Sequence, residues 1–245
     1  MNREQISKLA HTHHPIKSPL NDDSVSSLLS KALPRGDERV LDLGCGSAEW
    51  LLRALATHPD VHAEGVDISE SDLEEARQKA VRLGIDARLT LHHQKAEDFT
   101  SPHPFDLILC VGSTHALGGL LPTLEAARTH LAPGGRVLIG DGFWERTPTP
   151  EAIEVLGDFA DLPTLVDQVV TNGWTPVQGH TSTRQELDDY EWSNWGTLAD
   201  WALDHPTHPD SPQILTWATT RRTEWLHTYR PSWGFTTLLL RPTPA

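Results

Sequence analysis

The residues best suited to chemistry are Asp42, Gly44, Cys45 and Gly46, in the run Val40-Leu41-Asp42-Leu43-Gly44-Cys45-Gly46-Ser47-Ala48. A short apolar stretch carrying one acid feeds a Gly-x-Gly turn, and an apolar helical pattern (Trp50, Leu51, Leu52, Leu55) follows at once. Strand, tight turn and helix start form the layout that holds a small polar ligand at the end of a parallel strand. Glycine lets the backbone approach such a ligand, or take positive φ, without steric cost. A dinucleotide turn would want a third Gly, and Glu49 stands there instead. A diphosphate would meet that carboxylate and Asp42, whereas a ligand bearing positive charge suits both. Asp67 ends the next predicted strand, about 20 residues on, where an acid hydrogen-bonds ribose hydroxyls. The third strand leads to Lys95-Ala96-Glu97-Asp98, polar residues where the sheet edge would meet an adenine ring.

These residues need a scaffold, and the pattern along the chain supplies one. Residues 1–20 are polar and His-rich, with Pro15 and Pro19, and read as an arm with little regular structure. Asn21-Asp22-Asp23-Ser24 signals a helix N-terminus, with capping residues and acids suited to the dipole. That helix runs through Val25, Leu28, Leu29 and Leu33 to Pro34-Arg35-Gly36. Strands and helices then alternate: strands at about 38–43, 62–67, 87–92, 105–111 and 136–140, with helices at 69–83 and 117–131. Alternation of this kind predicts a parallel sheet covered by helices on both faces. From Pro150 the pattern changes, with helices at about 151–157 and 162–172, a strand at 174–178, helices at about 184–204 and 211–229, and a final strand at 233–240. The last two strands would ordinarily form a hairpin. A long insert separates them here and holds most of the nine Trp, in a chain with only two Tyr and five Phe.

Bulk composition excludes several classes. With 245 residues, 38% hydrophobic and 22% charged, the chain reads as globular, not disordered. A net charge of −14 with no basic patch disfavours nucleic-acid partners and membrane surfaces. No apolar run approaches the ~20 residues that span a bilayer, and the N-terminus lacks the apolar core of a secretion signal. The two cysteines, Cys45 and Cys110, suggest neither a metal site nor a disulfide framework, so a reducing cytoplasm is expected.

Five segments in order carry a resemblance: Val40–Ala48, Gly65-Val66-Asp67-Ile68-Ser69, Ala96-Glu97-Asp98-Phe99, Phe105-Asp106-Leu107-Ile108 and Leu131–Ile139. The chain resembles the class I S-adenosylmethionine (SAM)-dependent methyltransferases. The run Cys110–Gly119, the segment Leu138–Trp144 and the terminal Trp233-Gly234-Phe235 strand are similar to a set of bacterial small-molecule methyltransferases without assigned substrates. The resemblance implies an α/β fold, a seven-stranded, mostly parallel Rossmann-like sheet with an N-terminal arm and a helical cap inserted between the last two strands. It divides the chain into an arm and first helix as a lid over the cofactor (1–36), a SAM-binding core (37–182), a Trp-rich cap (183–231) and a final core strand (232–245). It places the methionine moiety on the backbone of Gly44, Cys45 and Gly46, with Asp42 near its ammonium. Asp67, with Ile68 beside it, would take the ribose hydroxyls, and Gly112, at the end of the fourth strand, would be a further cofactor contact. The backbone of Ala96, with Glu97 or Asp98, would read the adenine edge. Lys95 departs from the Asp or Asn that related enzymes often carry there. Lysine cannot accept from the adenine amino group, so Glu97 or Asp98 must.

The implied reaction is an SN2 displacement at a sulfonium methyl, for which the protein positions the acceptor and, where needed, removes its proton. The acceptor would meet the methyl beyond the fourth strand, at Gly112–His115. His115 is the first candidate for a base or a positioning group; alternatively it caps the following helix or touches the cofactor. Asp141 ends the fifth strand on the same rim and would orient the acceptor or cap its loop. In the insert, Trp192, Trp195, Ala199 and Ala202 share a helical face, as do Ile214, Trp217, Arg221 and Trp225. Such a stripe is either core or a ligand box. Tyr190, Trp192 and Trp195, with Trp144, are expected to line the acceptor site, and Tyr190 or Glu191 is the alternative base. His11-Thr12-His13-His14 reads as a mobile arm over the cofactor and not as a metal site, since no acid or Cys lies at a suggestive spacing. The expectation is a cytoplasmic SAM-dependent methyltransferase of a small organic molecule, monomeric or homodimeric, releasing S-adenosyl-L-homocysteine. The alternatives are a protein substrate, or a SAM-binding sensor or silent subunit.

Overall fold

The computed structural model describes residues 1–244. In chain order its strands are β1 (Arg39–Leu43), β2 (His62–Asp67), β3 (Leu89–His93), β4 (Phe105–Val111), β5 (Leu131–Trp144), β6 (Trp174–Thr181) and β7 (Trp233–Pro242). Its α-helices are α1 (Arg3–Ala10), α2 (Asp22–Ala32), α3 (Glu49–Thr57), α4 (Glu70–Leu83), α5 (Leu120–His130), α6 (Pro150–Leu156), α7 (Leu162–Thr171), α8 (Arg184–Asp204) and α9 (Ser211–Glu224). Two compact units result. A sheet unit takes Asn21–Asp141, Pro163–Thr181 and the chain from Thr236 on; a helical unit takes Met1–Leu20, Gly142–Leu162 and Ser182–Phe235. Residues 142–162, expected in the cofactor-binding core, thus group with the Trp-rich helices.

The seven strands lie in the order β3-β2-β1-β4-β5-β7-β6. β1 pairs in parallel with β2 and β4, β2 with β3, and β4 with β5, while β6 and β7 are antiparallel. This is the mostly parallel sheet that the alternating pattern predicts. The chain winds outward from β1 to β3, then returns to place β4 on the other side of β1. At such a reversal the connections leave in opposite directions and open a crevice at the carboxyl ends of the two strands. The central strands are closed to water: Val40, Leu41 and Leu43, like Leu107, Ile108 and Leu109, are at most 1% exposed. Burial on both faces explains their nearly continuous apolar sequence. Helix ends follow local chemistry. The Asn21 side chain accepts from the Ser24 N–H to open α2, Ser69 does the same for Asp72 in α4, and Gly84 closes α4 at φ +67°.

Three expectations change. Residues 1–20 contain α1, because Asn2 and Gln5 cap each other reciprocally and Ile6 and Ala10, one turn apart, are 3% and 4% exposed. The prolines that argued against a helix lie beyond its end. The helix expected from residue 117 begins at Leu120, after a 3₁₀ turn over Thr114–Leu117 and two positive-φ glycines, Gly118 and Gly119. In the helical unit, the buried face of α8 is Leu187, Glu191, Trp195, Leu198 and Ala202. Trp192 lies off that face, 54% exposed, its ring 4.5 Å from that of Trp195. On α9, Ile214 and Ala218 are buried while Trp217 is 41% exposed. Trp225 opens a π-helical turn, Trp225–Tyr229, and is fully buried.

Leu41, on the central strand β1, is fully buried. Leu41→Ala is expected to lower unfolding free energy by about 2–5 kcal/mol, read from the midpoint of urea denaturation at unchanged slope. A loss below about 0.5 kcal/mol would contradict the close packing described for β1.

Candidate active site

The glycine turn joins β1 to α3 and is held by β2. Gly44 and Cys45 both donate their N–H to the Val66 carbonyl, at 2.9 and 3.0 Å. Gly46 donates to Asp67 Oδ2 at 2.7 Å, and Ser69 N–H donates to the other carboxylate oxygen at 2.8 Å. Asp67 therefore ties the turn to the end of β2. Gly44 (φ +80°) also lies against the segment leaving β4: a Cβ there would sit 2.7 Å from Ser113 Cβ and Oγ. Ser113 Oγ in turn donates to the Leu43 carbonyl at 3.0 Å. Gly65 leaves room for the turn from the other side, where a Cβ would meet Cys45 Sγ at 2.8 Å. Ala48 (φ +55°) completes the tight entry into α3.

Asp42 sits beneath this turn, 3% exposed. It has no hydrogen-bond or ion-pair partner among the described residues. Burial, and secondarily the charge of Asp67, push its pKa up to about 8. A buried carboxylate without a cation is costly, so the site suits a ligand that supplies one. Glu49 plays a different part from the one its position suggested. Its carboxylate pairs with Lys79 at 3.0 Å and Arg53 at 3.3 Å. Among the described residues, the acid of this segment left without a cation is Asp42, not Glu49.

The remaining cofactor candidates lie along the carboxyl edge of the same unit. Ile68 is 69% exposed beside Asp67. Ala96, Glu97 and Asp98 form a 3₁₀ turn after β3, with Glu97 and Asp98 exposed and Lys95 paired to Glu97 at 2.9 Å. Gly112, exposed at φ +76°, donates its N–H to the Gly140 carbonyl at 3.0 Å. His115 is exposed on the 3₁₀ turn, with no side-chain partner among the described residues. Asp141, expected at the end of a strand over 136–140, lies within the longer β5 and accepts from the Thr114 hydroxyl at 2.9 Å, which links β5 to the 3₁₀ turn after β4.

The candidates in the helical unit divide differently. Glu191 does not stand free as a base. It is 1% exposed and both its oxygens take 2.7 Å bonds from Arg221, with the Tyr229 hydroxyl at 3.4 Å. Burial raises its pKa while Arg221 opposes the rise. Tyr190 is not poised as a base either: its hydroxyl lies 3.1 Å from His11 Nε2, and burial pushes its pKa to about 12. Trp195 is core at 4% exposure. Trp144, 5% exposed, packs edge-on against Phe159, and its indole N–H has no partner among the described residues. His11, Asn194 and Arg221, which gather around Tyr190, were not singled out together by the sequence. Their association is nonlocal, and no spacing along the chain announces it.

A parallel sheet that reverses at β1 and β4, with a glycine turn over a buried unpaired acid and a second acid on the next strand, defines a class: a Rossmann-like methyltransferase that uses SAM. The chain belongs to the Methyltransf_31 family, described as a methyltransferase domain, which it matches over residues 34–198. Solved structures agree over nearly the whole length. A SAM-dependent methyltransferase from Geobacter sulfurreducens in complex with S-adenosyl-L-homocysteine is 27% identical with a TM-score of 0.88, covering 97% of this chain and 98% of that one. One from Thiobacillus denitrificans, also in complex with S-adenosyl-L-homocysteine, is 25% identical with a TM-score of 0.88, covering 99% of both chains. Among sequence relatives, the uncharacterised protein YjhP of Escherichia coli K12 is 28% identical over 212 residues, 84% of this chain and 85% of that protein. The 27-O-demethylrifamycin SV methyltransferase of Amycolatopsis mediterranei is 33% identical over 128 residues, 51% of this chain and 46% of that enzyme, so the chain spans less than half of its length.

Two outcomes follow for the carboxylates. Between pH about 4 and 8 the folded chain keeps a proton on Asp42 that the unfolded chain has lost. Stability of the ligand-free protein should therefore fall as pH rises across that window, and Asp42→Asn should flatten the decline. Equal slopes for the two proteins in urea titrations at stepped pH would remove Asp42 from this role. Asp67→Ala, which frees the N–H groups of Gly46 and Ser69, should weaken S-adenosyl-L-homocysteine binding at least about tenfold by calorimetry; unaltered affinity would take Asp67 out of the cofactor contact.

Proposed function

We propose that this methyltransferase acts on a small organic acceptor, and that the cradle residues of the sheet unit hold SAM in the way the sequence expectation assigned them. The observation that carries the cofactor assignment to particular residues is Asp42. It is buried, unpaired and shifted toward the neutral form, so it gains most from a bound ammonium. When bound, SAM supplies a sulfonium methyl that the acceptor displaces in line, leaving S-adenosyl-L-homocysteine. Around it, the positive-φ backbone of Gly44 and Gly46 brings the turn close to the methionine moiety. Asp67, already fixed by two backbone donors, presents its remaining lone pairs to the ribose hydroxyls. Glu97 or Asp98, exposed after β3, accepts from the adenine amino group, with the Ala96 backbone beside them.

On the acceptor side, His115 is exposed and has no side-chain partner among the described residues, so its ring is available to receive a proton or orient an acceptor. Asp141, braced by Thr114, is the second polar group of that rim. The small-molecule reading draws on the relatives: the rifamycin enzyme and the ubiquinone biosynthesis O-methyltransferases of Aeromonas salmonicida and Xylella fastidiosa act, by their names, on small molecules. The acidic surface, with a net charge of −14, speaks against a polyanionic substrate.

Incubation with SAM and, separately, a metabolite extract, a protein lysate and RNA should yield S-adenosyl-L-homocysteine only with the metabolites. Turnover confined to the protein lysate would overturn the small-acceptor reading. With the active metabolite fraction, His115→Ala should slow transfer at least about 100-fold at unchanged SAM affinity; an undiminished rate would exclude His115 as the base.

A further inference from the structure

The helical unit holds a cavity of about 510 Å³ whose walls come from that unit alone. Its size is that of a small-molecule site. We propose that it binds a small planar organic acid that also carries a hydrogen-bond donor. This rests on the helical unit and goes beyond the methyl-transfer reading, which concerns the sheet unit's cradle.

The anion requirement comes from the two arginines of the wall, Arg3 and Arg221. Arg3 has no acidic partner among the described residues. Arg221 spends Nε and Nη2 on Glu191, at 2.7 Å each, which leaves its Nη1 donors unspent. A guanidinium fork with open donors matches a carboxylate.

The donor requirement comes from His11, Tyr190 and Glu224. His11 Nδ1 lies 2.7 Å from the Ser7 carbonyl, which only accepts, so that nitrogen carries the proton. Burial lowers the His11 pKa to about 4, so the ring is neutral and Nε2 is a bare acceptor. The Tyr190 hydroxyl, 3.1 Å away, is the shorter of its two donors, the other being Asn194 Nδ2 at 3.5 Å, and donates to it. With that proton spent, the Tyr190 oxygen offers the cavity only lone pairs. Glu224, also on the wall, is a second acceptor and has no ion-pair partner among the described residues.

The ligand's body follows from Trp217, which lines the cavity and is 41% exposed. An open indole face favours a flat partner, and the volume is far larger than a bare inorganic anion needs.

The test uses calorimetry on the full chain with 4-hydroxybenzoate, anthranilate and indole-3-acetate, each beside its carboxamide. At least one acid should bind at least about tenfold more tightly than its amide. Arg3→Gln, an exposed change on α1, should cut that affinity at least about tenfold while S-adenosyl-L-homocysteine binding stays unaltered. Tyr190→Phe should weaken 4-hydroxybenzoate but not benzoate. Failure of every acid to bind below about 1 mM, equal binding of acid and amide, or indifference to Arg3→Gln would each overturn the proposal. Loss of S-adenosyl-L-homocysteine binding in the unmodified protein would instead count against the cofactor cradle and leave this site standing.

Discussion

At Gly44 the backbone leaving β1 lies so near the segment leaving β4 that no side chain fits between them: a Cβ would come within 2.7 Å of Ser113. That approach sets the geometry of the carboxyl edge. Ser113 bonds back to Leu43, so the two strand exits cannot separate without losing a partly buried polar contact. With the turn pinned on that side, its next N–H groups reach Val66 and Asp67 on the other. Three strand ends are thereby locked around one short loop. A cradle fixed in advance loses little entropy when it takes up a ligand.

Two buried carboxylates show how differently one chain can treat the same group. Asp42 and Glu191 are 3% and 1% exposed. Glu191 is met by a guanidinium from α9, on both oxygens. Its charge is balanced within the fold, and its task is to join α8 to α9. Asp42 is met by no cation among the described residues, and the charge that acts on it, Asp67, has the same sign. An acid kept in that condition is unfavourable when ionised. A cation brought by a ligand would offset that cost.

The sheet and its turn were legible in the sequence because their signals are local. Apolar runs mark strands buried on both faces, and the Gly-x-Gly turn sits where strand gives way to helix. Glu49, which in the sequence looks like an acid facing the ligand, is paired with Lys79 and Arg53, and Asp42 is the buried acid left without a cation among the described residues. Contacts between distant segments were not legible. Arg221 lies 30 residues from Glu191, and their pairing turns a charged position inward on α8, which displaces Trp192 from the face assigned to it. α1 was hidden by its own shortness. Its capping box is written in Asn2 and Gln5, but eight residues of mixed polarity look like an arm until α8 is present to cover Ile6 and Ala10.

The helical unit is assembled from three separate stretches of chain, and this bears on how the protein is made. α1 leaves the ribosome long before α8, and an isolated helix of that length is not stable in water. At about 5–20 residues per second, the Tyr190 that meets His11 at 179 residues' separation is added some ten to forty seconds later. Throughout that interval the sheet can begin to form while the first segment waits, uncovered, for its partner. Ile6 and Ala10 are then exposed to chaperones and proteases, and the helical unit closes only after nearly the whole chain has been synthesised.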